Sequence, residues 1–104
     1  MSLLSVGAYA GGHCTPEAPF AYVWGVEETS EGRTYFYSNV IKLGAESYAD
    51  LVSEFAIRAR DQYDARPSAK PSRCFASAGQ ANSDLRRLRA NQRERGARQL
   101  DIRW

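Results

Sequence analysis

The stretch that decides the fold is Arg33-Thr34-Tyr35-Phe36-Tyr37-Ser38-Asn39-Val40-Ile41-Lys42-Leu43. In an extended strand side chains alternate between the two faces, so Tyr35, Tyr37 and Ile41 fall on one side and Phe36 and Val40 on the other. Both sides carry apolar bulk, which marks either a strand covered on both faces or one whose second face is a contact surface. Upstream, Phe20, Tyr22, Trp24 and Val26 alternate on an earlier strand, and Thr29-Ser30-Glu31-Gly32 supplies the polar and glycine chemistry of a tight turn. The two runs predict a hairpin.

Downstream of Gly44 the period changes. Ser47-Tyr48-Ala49-Asp50 has the form of a capping box, with Asp in place of the usual Glu or Gln. Tyr48, Leu51, Val52, Phe55, Ala56, Ala59 and Tyr63 then recur at helical spacing. Pro67 and Pro71 predict a loop over 66–71, and Arg73 to Ala76 reads as a short strand. Ser77 and Gln80 form a second capping pattern before a helix whose apolar stripe is narrow, Ala81, Leu85 and Leu88, and which Gly96 can end in a left-handed cap. Leu100, Ile102 and Trp104 alternate with Gln99, Asp101 and Arg103, the pattern of a half-buried closing strand.

The resulting order, ββαβαβ, predicts an α+β fold in one domain spanning residues 19–104, with an antiparallel sheet of three or four strands and both helices on one face. Tyr22, Trp24, Leu51, Phe55, Phe75, Leu85, Leu88 and Ile102 are the expected core. A chain of 104 residues, 43% of them hydrophobic, can build one such core without staples. Residues 1–18, interrupted by glycines, read as a flexible N-terminal arm. No Lys or Arg precedes their apolar residues, so they lack the charged start of a signal peptide. No run is long enough to predict a membrane span. The chain is expected outside the cytoplasm if a leader has been removed, and in the cytoplasm otherwise. Its oligomeric state has no signature in the sequence.

Cys14 and Cys74 are the two cysteines, and with His13 they are too few and too scattered for a zinc site; no metal and no cofactor is expected. They form either one disulfide, in an oxidising compartment, or two unpaired thiols with one buried as a small hydrophobe.

The combination of Tyr35-Phe36-Tyr37-Ser38, a helix containing Phe55, then Arg73-Cys74-Phe75, an Arg-rich helix and a strand ending in Trp104 resembles small bacterial domains of uncharacterised role. The resemblance covers residues 20–104 and implies the same order of elements and an often secreted setting. Such domains carry a further Cys on the first strand, able to pair with the Cys of the Cys-Phe motif; here that strand reads Ala21-Tyr22-Val23-Trp24 and Cys14 lies upstream.

Function is weighed across three classes. An enzyme is not expected: the one histidine, His13, lies in the arm, no GxSxG, phosphate-cradling glycine loop or HExxH pattern occurs, and Glu27, Glu28 and Glu31 at the hairpin tip read as a solvated turn. Charge is polarised, because seven arginines against three acids lie between Asp84 and Arg103, whereas the rest of the chain is mildly acidic. A helix over residues 84–98 bearing Arg86, Arg87, Arg89, Arg93 and Arg95 can meet nucleic-acid phosphates, with Tyr35 or Tyr37 stacking on unpaired bases. That is the alternative. The leading expectation is a non-catalytic protein-interaction module, an inhibitor, immunity-type or accessory binding domain, using the same arginines and tyrosines on another protein.

Overall fold

In a computed structural model describing residues 12–104, the chain runs β1 (Phe20–Ala21), β2 (Val23–Thr29), β3 (Gly32–Tyr37), β4 (Ile41–Lys42), α1 (Tyr48–Tyr63), β5 (Ser68–Pro71), α2 (Ala78–Glu94) and β6 (Arg98–Asp101). It is a single α+β domain in which the main sheet has four strands, ordered β5-β2-β3-β6. β2 and β3 are the expected hairpin, with Thr29 opposite Gly32 and Trp24 opposite Tyr37. Gly32 closes the turn at φ 122°, a backbone conformation that side chains disfavour. A separate antiparallel ribbon pairs β1 with β4.

Tyr22 separates β1 from β2, and two buried serines supply what its backbone needs there. Ser72 Oγ accepts the Tyr22 N–H and Ser38 Oγ accepts the Val23 N–H, both at 2.9 Å. Each serine hydroxyl then donates to a neighbouring carbonyl, so neither is left unsatisfied in the interior.

Two expectations are corrected by the sheet. It is mixed rather than antiparallel, since β6 runs parallel to β3, with Leu100 beside Phe36. The helices also lie on opposite faces. Ala21, Val23 and Phe36 pack with Leu51, Phe55 and Ala59 of α1 and with Ile102, whereas Tyr22, Tyr35, Tyr37 and Phe75 pack with Ala81 and Leu85 of α2. The cause is the double-faced β3: its aromatics point both ways, and each side needs its own cover. Topology delivers it. α1 links the hairpin to β5 at the far edge beside β2, and α2 returns to β6 beside β3 across the opposite face.

The third strand is also displaced. It occupies Ser68–Pro71, within the expected loop, while Phe75 makes only an isolated bridge to Phe20. β5 is an edge strand paired with β2 alone, a position where proline's missing donor is tolerated. Its approach is close: a Cβ on Gly25 would stand 2.9 Å from the Ser68 carbonyl oxygen.

The helix ends follow the sequence signals. Ser47 Oγ accepts the Asp50 N–H and the Asp50 carboxylate accepts the Ser47 N–H, completing the box on α1. On α2 Ser77 Oγ accepts the Gln80 N–H, and Gly96 follows the helix with φ 78°. α1 ends on Asp64 in the left-handed region, one of the few non-glycine residue types found there with any frequency.

Of the residues read as an arm, 1–11 lie outside the described residues. Residues 12–18 run against the body: Gly12 accepts the Tyr48 N–H at 2.8 Å, His13 bridges Ser47, and Cys14 is joined to Cys74 by a disulfide.

Candidate interaction surface

The seat of α2 determines which arginines are available. Ala81, Leu85, Leu88 and Gln92 lie along one side of the helix and face the aromatic row of the sheet, Gln92 as a buried polar residue at the end of the stripe. Beneath them Trp24 stacks beside Tyr35 at 6.1 Å, and Tyr35 beside Tyr37 at 6.4 Å. Tyr35 is 6% exposed and Tyr37 fully buried, so neither ring offers a face to an incoming base. Gln99 donates to the Tyr37 hydroxyl, and burial raises the pKa of that phenol.

The five helix arginines divide by position. Arg86, Arg89 and Arg93 share one flank, at spacings of three and four residues. Within this row Arg89 is drawn inward: its guanidinium lies 4.9 Å over the Tyr37 ring, and Nη1 meets the Asp101 carboxylate at 2.6 Å. It ties α2 to β6 and is not offered to a partner. Arg86 and Arg93 are exposed, the former bonded to the Ser83 hydroxyl at 3.3 Å.

Arg87 occupies the other flank, paired with Asp84, which also accepts the Tyr22 hydroxyl at 2.6 Å. Burial first, and then this bond to a carboxylate, hold the Tyr22 phenol far above the usual tyrosine range. Arg95, exposed at the end of α2, borders a shallow cleft of about 270 Å³ that Arg33, Tyr35 and Gln92 also line.

Two of the hairpin acids are engaged within the fold. Glu28 pairs with Arg33 at 2.9 Å, and Glu27 accepts the Arg66 N–H at 2.9 Å. Among the described residues no group of three or more His, Cys, Asp and Glu side chains converges in a metal-binding arrangement.

The sequence reading grouped all five arginines with the two tyrosines. The structure leaves Arg86, Arg87, Arg93 and Arg95 on the surface, with Arg87 paired there to Asp84, draws Arg89 inward to Asp101 and Tyr37, and covers Tyr35 and Tyr37. A row that the sequence reading missed lies on the other side of the molecule: Glu46, Asp50 and Glu54, whose spacing of four was the available signal, beside the half-buried Trp104. The chain matches no protein-family model, no curated protein and no solved structure.

Proposed function

We propose that this domain is a non-catalytic protein-interaction module that presents the outer flank of α2 to an acidic surface on a partner protein. The carrying observation is that Arg86, Arg93 and Arg95 are exposed and outside any ion pair among the described residues, while Arg89 between them anchors the helix. Exposed guanidiniums on a fixed helix suit bidentate recognition of carboxylates, and their charge steers encounter with an acidic face. The reading covers an inhibitor, an immunity-type protein or an accessory binding domain.

The nucleic-acid reading is less well supported, because the tyrosines it needs for stacking lie under α2. The Cys14–Cys74 disulfide also favours work in an oxidising compartment.

The test is binding to duplex and single-stranded DNA and RNA at low salt, for the native chain and the R86E/R93E/R95E variant. Native affinity weaker than about 10⁻⁶ M is expected, at the weak end of non-specific binding. A nanomolar, salt-sensitive dissociation constant that the variant loses would give α2 to nucleic acid. In the source cells, a photo-crosslinker at position 90 on the outer surface of α2 should trap a protein, and R86E/R93E should abolish the product.

A further inference from the structure

On the side of the sheet away from α2, a cleft of about 280 Å³ lies between β4 and the first half of α1. Its apolar lining is Ile41, Leu43, Leu51 and Trp104, of which Ile41 and Trp104 are only half-buried. Its rim carries three carboxylates, Glu46, Asp50 and Glu54, against one guanidinium, Arg58. That guanidinium is already used, bonded to Glu54 at 2.8 Å and stacked 4.9 Å from the centre of the Trp104 ring.

The acids are fixed in place by their own donors. Glu46 accepts the Gly44 N–H at 2.8 Å and Asp50 the Ser47 N–H at 3.0 Å. The backbone N–H of Glu46 itself and then that of Gly44 hold the Glu46 carboxyl below its ordinary pKa, and the Ser47 N–H does the same for Asp50.

We propose that this cleft docks a basic, apolar segment of a partner protein, with an aliphatic side chain seated between Leu43 and Trp104 and flanking Lys or Arg side chains on Glu46, Asp50 and Glu54. The sign of the rim selects the occupant. An acidic or neutral segment would leave Glu46 and Asp50 without a cationic partner, since Arg58 already serves Glu54, whereas a basic one meets these exposed carboxylates beside the apolar lining. The site is remote from the arginine flank of α2 and opposite to it in charge, so it stands or falls separately from that reading.

The experiment titrates the full chain with the capped hexapeptide Arg-Lys-Leu-Leu-Lys-Arg while following the Trp104 indole N–H resonance, assigned with a W24F variant. A saturable shift is expected. Affinity should fall by about tenfold or more when the peptide leucines become serine, which removes the apolar burial, and by a similar factor in E46K/E54K, which spares the Asp50 cap. A peptide with Glu in place of every Lys and Arg should leave the resonance unmoved.

Equal binding of the serine or the Glu peptide to the native chain overturns the proposal whatever the variant's fold. So does undiminished binding to a folded E46K/E54K. An indole that shifts with protein concentration alone assigns the cleft to a second copy and overturns it as well.

Discussion

Replacing Cys14 and Cys74 together by serine removes a bond that spans 60 positions of the chain. In the loop-closure description, freeing a loop of that length returns to the unfolded chain an entropy equivalent to about 4 kcal/mol at 25 °C. Small domains are commonly stable by about 5–15 kcal/mol, so the variant should still fold, with its stability lowered by about 4 kcal/mol. The native state has its own response. Residues 12–18 are held by the Gly12–Tyr48 hydrogen bond at 2.8 Å and the His13–Ser47 bridge, and can detach locally once the tether is gone. Urea unfolding followed by tryptophan fluorescence separates the two effects when combined with amide exchange at Tyr48. With slopes of about 1–3 kcal/mol/M, the midpoint should fall by about 1–4 M. The Tyr48 amide should exchange faster than those of Phe55 or Ala59, which report the helix core. A loss below about 1 kcal/mol at unchanged slope would refute loop closure as the stabilising principle.

Gly25→Ala should destabilise by about 1–3 kcal/mol in the same urea assay, because the added methyl meets the β5 backbone rather than a flexible side chain; a neutral result would mean that β5 can retreat at no cost. Arg89→Ala should cost about 1–2 kcal/mol through loss of its stacking on Tyr37 and its pair with Asp101, while Arg86→Ala should stay within about 0.5 kcal/mol. Equal effects would show that Arg89 does not anchor α2. The raised pKa of Tyr22 places its stabilising contribution below the unfolded tyrosine value of about 10, with loss as pH rises through and beyond it. Tyr22→Phe should therefore flatten the alkaline limb of the stability profile, and an unchanged limb would count against the burial of the Tyr22 phenol and its bond to Asp84. For Glu46 and Asp50, held low, the contribution is present above the ordinary carboxylate range and lost as pH falls, which carboxyl titration by NMR checks directly.

Much of the architecture was legible before any coordinates, because the signals that carried it are local. Ser47 and Asp50 satisfy each other's backbone across one turn, Gly96 supplies the backbone freedom at the end of α2, and Thr29 to Gly32 turns the hairpin with its own residues. The core residues Tyr22, Leu51, Phe55, Phe75, Leu85 and Ile102 were legible for the same reason, since period alone shows which side of an element is apolar. The arginines of α2 were visible as a charged run, but their division was not. Whether Arg89 is a surface cation or a strut depends on Asp101 and Tyr37, twelve positions later and far earlier in the chain, arriving beneath it.

The same limit governs the sheet. The apolar residues on both faces of β3 said that two covers were needed, yet nothing in the stripes of the two helices says which face each will take, because a stripe records that a face is buried and not against what. The strand over Ser68–Pro71 was invisible because its order comes from β2 alongside rather than from its own proline-flanked residues. The sequence determined the hairpin, both helices and the closing strand, with their order and buried sides, through interactions a few residues long. The tertiary structure alone decided which face each helix covers, that β6 runs parallel to β3, and which cations and carboxylates remain open to a partner, since each of these depends on contacts between residues far apart in the chain.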